Sequence, residues 1–287
     1  MKVWLDGRIV DGENAKISVT DHGLLYGDGI FEGMRVIGRR VFRLDDHMHR
    51  FETSAKAIGL ELPIGRADIR SIVLDTARAF GSDSAYIRLI ATRGEGELGV
   101  DPATCRGPCI ICMVGGISLF PREKLVRGID MVTVSMRRPA ADMLDPRVKS
   151  LNYLNSVLAK REARLRGADE ALLLNQFGNV AEASVANVFA VIKEVLITPP
   201  ATDGALAGIT RMSVLECAAE LGIKTREATL GRFDLLGANE VFLTGTGARL
   251  VPVATLDGQT IGNGERPIVW RLLDAMDRFA QIHGEPF

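Results

Sequence analysis

The stretch Tyr26-Gly27-Asp28-Gly29-Ile30-Phe31-Glu32-Gly33 carries three glycines in the order G-x-G-x-x-x-G. A dinucleotide-binding turn has the spacing G-x-G-x-x-G, in which the glycines clear the backbone for a pyrophosphate, and it follows a buried parallel strand. Here the third glycine comes one residue late, and the preceding His22-Gly23-Leu24-Leu25-Tyr26 does not read as such a strand. The segment therefore excludes a Rossmann architecture, and the flanking sequence has to supply another.

Upstream, residues 1–11 alternate and turn at Asp6-Gly7, a hairpin signal. Downstream, Met48, Phe51, Ala55 and Ile58 recur at helical spacing within 44–60, ending at Gly59, and residues 64–80 repeat the pattern. Residues 84–93 and 109–115 read as strands, which makes residues 1–115 a small α/β domain. The segment 116–140 is poorly periodic and holds Pro121 and Pro139, so it is expected as an interdomain loop. Residues 141–287 then form a larger domain. It opens on a helix from about Leu151 to Arg166 with the apolar stripe Leu151, Leu154, Val157, Leu158 and Ala163. Strands follow at 170–174, 180–182, 188–191, 195–198, 240–243 and 250–256, with helices ending at Leu221 and covering 267–283.

The composition is that of a soluble globular chain: 287 residues, 47% hydrophobic, 25% charged, with 35 Lys+Arg against 36 Asp+Glu. A nucleic-acid or anionic-membrane partner needs a basic excess to displace counterions, and this balance argues against both. Four cysteines are too few for a disulfide framework, and the N-terminal segment has no apolar signal region, so a cytoplasmic protein is expected. Cys109 and Cys112 lie in an apparent strand, where positions three apart point to opposite faces, so no metal site is expected.

Several residues suit chemistry. Gly208-Ile209-Thr210 ends a glycine-rich approach where a helix begins, so unpaired first-turn amides and a hydroxyl converge; the pattern reads as a phosphate cradle or as a plain N-cap. Gly245-Thr246-Gly247 follows a strand that can end at the same place. Lys149, between Val148 and a helix start, reads as a desolvated nucleophile or as a surface charge. Glu182 among small apolar residues reads either as a buried carboxylate that requires a partner or as a solvent-facing strand residue. Tyr86 and Arg88 share one strand face, as a carboxylate grip or as the polar side of an edge strand.

Taken in order, Tyr26 to Gly33, His49-Arg50, Tyr86-Ile87-Arg88, Lys149-Ser150-Leu151-Asn152-Tyr153, Glu182 with Asn187 and Phe189, Gly208-Ile209-Thr210-Arg211 and Thr244-Gly245-Thr246 resemble the class IV aminotransferases. The match runs from residue 4 to about 275. The resemblance implies an α+β, two-domain fold-type IV enzyme, D-amino acid aminotransferase-like, with a small α/β domain and a larger domain of mixed sheet or barrel. It places the site between the domains and implies a homodimer or larger assembly whose loops complete the pocket. The implied cofactor is pyridoxal 5'-phosphate. Lys149 would be the Schiff-base lysine and proton shuttle, and Glu182 would keep the pyridine nitrogen protonated. Arg50, Gly208, Ile209, Thr210 and Thr246 would hold the phosphate. Leu206 would pack on the ring, and Tyr153 would lie near the cofactor's hydroxyl side.

The same resemblance implies a small-molecule amino donor and a 2-oxo acid acceptor. Tyr26, Phe31, Gly33 and Arg35, with Tyr86, Arg88 and the loop 92–102, are similar to the branched-chain enzymes, so exchange between branched-chain L-amino acids and 2-oxoglutarate is expected. D-Amino acid enzymes carry Arg-x-His where this chain has Leu98 and Val100. D-Amino acid or (R)-amine transfer is the alternative, then aminodeoxychorismate lyase, and outside catalysis a relative that only binds pyridoxal phosphate. The branched-chain enzymes often have Thr-Ala-Ala-Glu where this chain has Thr246-Gly247-Ala248-Arg249. The amides of Gly247 and Ala248 are expected on the substrate carboxylate, whereas Arg249 has no role in this reading. Gly115-Gly116-Ile117-Ser118, in place of a pocket tyrosine, implies a wider pocket.

Overall fold

A computed structural model describes residues 1–117 and 120–287. Two compact units emerge: Met1–Ile117 with Val148–Asn152 and Ala280–Phe287, and Ser118–Arg147 with Tyr153–Phe279.

The first unit is built on an antiparallel sheet. Strands β1 (Lys2–Leu5) and β2 (Arg8–Asp11) form the expected hairpin, with Asp6 and Gly7 both at positive φ in the turn. Helix α1 (His22–Tyr26) is capped by the Asp21 carboxylate. Next come β3 (Gly29–Ile37), β4 (Arg40–Phe42), α2 (Leu44–Ala57), α3 (Arg66–Phe80), β5 (Ser84–Thr92) and β6 (Cys109–Gly115). A C-terminal strand, Gly284–Pro286, completes the sheet beside β4, in the order C-terminal strand, β4, β3, β5, β6, β1, β2. One sheet face carries Ile30, Met34, Ile87, Leu89 and Val114, which bury against Met48, Phe51 and Ala55 of α2 and Ile69 and Val73 of α3. The glycine-containing segment that resembles a nucleotide turn is thus an antiparallel strand. Cys109 and Cys112 sit on β6, where burial pushes the Cys112 thiol up to about 12.

Inside the expected interdomain loop lie α4 (Arg122–Arg127) and β7 (Ile129–Arg137). This differs from the sequence expectation because β7 is a ladder strand, parallel to both its neighbours, β8 (Glu170–Leu174) and β14 (Arg249–Leu256). The segment 148–152, expected in the larger domain, belongs to the first unit: Ser150 bridges Ile30, and Leu151 N donates to Gly29 O.

The second unit continues with α5 (Ala141–Leu144), α6 (Leu154–Leu165), β9 (Val180–Ala183), β10 (Asn187–Ile192), β11 (Val195–Thr198), α7 (Ile209–Glu220), β12 (Thr225–Glu227), α8 (Arg232–Leu236), β13 (Glu240–Gly245), β15 (Gln259–Thr260) and α9 (Pro267–Ile282). Its sheet is mixed, in the order β12, β11, β10, β13, β14, β7, β8, β9, with β15 on β14. The core is apolar, with Leu172, Val188, Val241, Val251 and Val253 at its centre. Helix α6 starts three residues later than expected, and its expected stripe divides: Ala163 packs with Ala159 on β7 and β8, while Leu154 (67% exposed) and Val157 (58%) face solvent. Small residues let the helix lie close on the sheet, so the larger ones point outward. Among the described residues no helix is long and apolar enough to cross a membrane.

Candidate active-site residues

In the first unit the alternation of β3 and β5 decides what meets. Gly33 lies opposite Arg88 and Arg35 opposite Tyr86, so Phe31, Gly33, Arg35, Tyr86 and Arg88 share the face turned away from α2 and α3. Arg88 donates to Tyr86 Oη at 3.3 Å and sits 4.6 Å from the centroid of the Phe31 ring. Gly33 leaves the space this requires, since a Cβ there would lie 2.1 Å from Tyr86 Oη. Burial lowers the Arg35 guanidinium from its ordinary value. This face combines an aromatic surface with two fixed cations and a phenol, which is a donor set for a carboxylate.

Lys149 is held on the edge of β3 by its backbone. Its carbonyl accepts from Phe31 N at 2.9 Å, and its amide donates to Ser54 Oγ of α2 at 3.2 Å. The half-buried side chain places Nζ 4.5 Å from the Phe31 ring centroid. An ammonium over an aromatic ring is attracted by the ring quadrupole yet partly desolvated. Arg50 closes on Glu32: its Nε donates to Oε1 at 2.7 Å and a terminal nitrogen to Oε2 at 2.8 Å. His47 Nδ1 meets the same Oε2 at 2.7 Å. Burial works to raise the Glu32 carboxyl, but the charges and hydrogen bonds of Arg50 and His47 outweigh it and hold it at about 2. Tyr26 is on α1 rather than on this face, exposed and edge-on to His22 at 4.9 Å. Leu98 and Val100 are also exposed.

In the second unit Glu182 on β9 is buried, which settles the alternative that its sequence left open. Arg138 reaches Oε1 at 2.6 Å, while Oε2 accepts from Leu206 N at 3.1 Å and Asn187 Nδ2 at 3.3 Å. Sequence reading missed Arg138, because it stands before Pro139 in a segment taken for a loop. The available signal was the requirement that a buried carboxylate find a cation. Asn187 also donates to Leu206 O at 2.8 Å, so the carboxylate and the Leu206 backbone are fixed as one piece.

Helix α7 starts at Gly208 with no side-chain cap, and Thr210 Oγ1 and Thr246 Oγ1 stand 3.5 Å apart there. Residue 208 tolerates no side chain, since a Cβ would lie 2.0 Å from Asn187 Oδ1. Thr244, opposite Asn187 in the β10–β13 ladder, has a buried hydroxyl with no partner among the described residues. First-turn amides plus two converging hydroxyls form an anion cradle. Arg211 points elsewhere, to Pro199 O at 3.0 Å and Glu227 at 2.6 Å. Tyr153 caps α6, its carbonyl accepting from Val157 N at 2.9 Å. Gly247 and Ala248 form the turn between β13 and β14, where Arg249 adopts a φ of 61° and pairs with Asp277 of α9. Arg249 is thereby given a structural partner. Of the segment expected to widen the pocket, Ser118 lies outside the described residues.

These donor sets fit pyridoxal 5'-phosphate. The uncapped α7 terminus and the threonine hydroxyls suit the phosphate, the buried Glu182 suits a pyridinium N–H, and Lys149 suits the aldehyde.

The model of the family described as amino-transferase class IV matches residues 29–256. A protein of Methanocaldococcus jannaschii, provisionally named a branched-chain-amino-acid aminotransferase, is 47% identical, with 92% of this chain and 90% of that protein covered. The Escherichia coli branched-chain amino acid aminotransferase structure has a TM-score of 0.94 at 35% identity, covering 97% and 94% of the two chains. The T.th. branched-chain amino acid aminotransferase complexed with N-(5'-phosphopyridoxyl)-L-glutamate has a TM-score of 0.90 at 35% identity, covering 98% and 94%.

Proposed function

The chain belongs to the class IV aminotransferases, and from that premise we propose that it exchanges the amino group of branched-chain L-amino acids with 2-oxoglutarate, using pyridoxal 5'-phosphate. The observation that carries the substrate reading is the β3–β5 face, where Phe31 and Gly33 offer an apolar slot beside the Tyr86–Arg88 pair. The L-glutamate adduct in the T.th. relative supports the acceptor.

When bound, the cofactor supplies an aldehyde that takes the amino group and a ring that accepts the electron pair left on the substrate Cα. Lys149 Nζ is the base: it takes the Cα proton and returns it one position away, and for the second substrate it does so in reverse. Its backbone bonds to Phe31 and Ser54 hold the stem still while Nζ moves. Glu182, kept ionised by Arg138, keeps a proton on the ring nitrogen. Arg50, Ile209, Thr210 and Thr246 bind the phosphate. Leu206, whose backbone is tied to Glu182, supports the ring, and Tyr153 lies on its hydroxyl side. Tyr86 and Arg88 hold a substrate carboxylate with the amides of Gly247 and Ala248, and Arg35 adds positive charge to that face.

The chain acts in the cytoplasm, where its four thiols stay reduced, and works as a homo-oligomer.

The decisive experiment adds L-leucine, D-alanine or (R)-phenylethylamine separately to the cofactor-loaded enzyme without an acceptor and follows the visible cofactor absorbance. Loss with L-leucine alone supports the reading. Faster loss with D-alanine or the amine keeps the chemistry and overturns the pocket assignment. A protein that takes up the cofactor but loses its absorbance with none of the three donors would be a relative that only binds it.

A further inference from the structure

Helix α2 carries two stripes. Leu44, Met48, Phe51 and Ala55 bury against the sheet, and beside them His47, Arg50 and Ser54 recur at i, i+3 and i+7. Each polar member is committed to a neighbour. Ser54 accepts from the Lys149 amide, Arg50 places two nitrogens on Glu32, and His47 Nδ1 meets Glu32 Oε2.

Glu32 sits on the face of β3 that packs beneath α2, between Ile30 and Met34, and is fully buried. A buried ion pair is a weak device for stability, because apolar residues of similar volume serve as well. What it does supply is a fixed geometry. Phe31, the adjacent residue, binds the Lys149 carbonyl through its amide, so one turn of pleat carries both the lysine anchor and the carboxylate that closes on Arg50.

We infer that Glu32 and His47 are positioning residues that aim the Arg50 guanidinium at the cofactor phosphate. The inference rests on the assignment of Arg50 to that phosphate. A guanidinium is a planar fork on a flexible stem. With its Nε edge closed on both oxygens of Glu32, the plane and the direction of the third nitrogen are set before any anion arrives. His47 fixes the carboxylate in turn. An ionised carboxylate can only accept, so Nδ1 carries the proton and donates to Oε2. Burial holds the imidazole below its ordinary value, opposed by Glu32 and assisted by the charges of Arg50 and Lys149.

The test uses cofactor-free full-length protein and compares dissociation constants for pyridoxal 5'-phosphate and for pyridoxal, which lacks the phosphate, by equilibrium dialysis. Wild type prefers the phosphorylated form. Glu32→Gln keeps the shape and removes the charge, and should cut that preference about tenfold, the scale of one misplaced charged hydrogen bond, with pyridoxal binding unchanged. His47→Ala should cut it less, and His47→Asn, which offers an amide N–H in place of Nδ1–H, should restore it. If Glu32→Gln fails to fold by circular dichroism, the two His47 variants decide. An unchanged preference in the variants, or equal weakening of both ligands, overturns the inference and leaves Glu32 purely structural. A wild type that binds both forms alike overturns the phosphate role of Arg50 itself, and with it the reading on which the inference rests.

Discussion

Each unit buries one glutamate on a strand beside an arginine, yet the two are saturated differently. Glu32 takes both arms of the Arg50 fork and a histidine at 2.7–2.8 Å, and the Gly33 amide at 3.3 Å, in the middle of an apolar sheet–helix layer. Glu182 meets a charged donor on Oε1 at 2.6 Å, and its Oε2 accepts from neutral donors at 3.1 and 3.3 Å. The first arrangement freezes a cation, which suits positioning. The second keeps a carboxylate ionised while one of its oxygens is held by long, exchangeable bonds, which suits a partner that comes and goes with a cofactor. A buried carboxylate is therefore assigned by the charge and length of its bonds, and burial by itself says little.

The largest effect should come from the residue that both centres are proposed to serve. Lys149→Ala is expected to slow leucine–2-oxoglutarate exchange by at least about 10^3-fold, in the range that a positioned acid–base group supplies. A variant with wild-type turnover would remove the mechanism altogether. Next, the two glutamates should separate in opposite directions. Glu182→Gln should lower kcat roughly 100-fold at a smaller stability cost than Glu32→Gln, since it takes the carboxylate from one nitrogen of Arg138 while its neutral donors still find an acceptor. Glu32→Gln should cost about 3–5 kcal/mol of stability by stranding buried charge, with a smaller loss of kcat. Equal profiles for the two variants in paired melts and steady-state kinetics would erase the distinction.

A tenfold effect is expected for Gly33→Ala. The new methyl displaces the Tyr86 hydroxyl, so KM for leucine should rise about tenfold while kcat holds, as for loss of uniform binding. A last test is the pH response of the first centre. Glu32 has a folded value near 2 against an ordinary 4.5, so the unfolded chain binds the proton first, and the stabilisation is present above 4.5 and lost as pH falls toward 2. His47, lowered from 6.5 by burial, acts with the same sign: its contribution is full above 6.5 and declines below it. Urea unfolding of wild type should weaken from pH 6.5 downward. In Glu32→Gln the slope between 4.5 and 2 should flatten.

Much of the fold is written in local pattern. The hairpin at Asp6-Gly7, the α2 and α3 stripes, and strands β5, β6, β8 and β11 follow from turn chemistry and from periods of 2 and 3.6, which depend only on neighbouring residues. Strand β3 was hidden by its glycines, which are there because Tyr86 and the 149–151 segment pass so close. Strand β7 was hidden between prolines, although Val132 and Val134 alternate within it. On α6 only Ala163 of the expected stripe faces the sheet, because close packing selected small residues, Ala159 with it, and left Leu154 and Val157 outside.

By itself the sequence determined which residue types stand at suggestive spacings: Lys149, Glu182, Thr210 and the Tyr86–Arg88 pair are legible as candidates. Only the tertiary structure decided their partners. A buried carboxylate must find a cation, but whether that cation is Arg50 beside Glu32 or Arg138 beside Glu182 depends on which strand and helix the sheet order brings together, and local periodicity carries no record of that order.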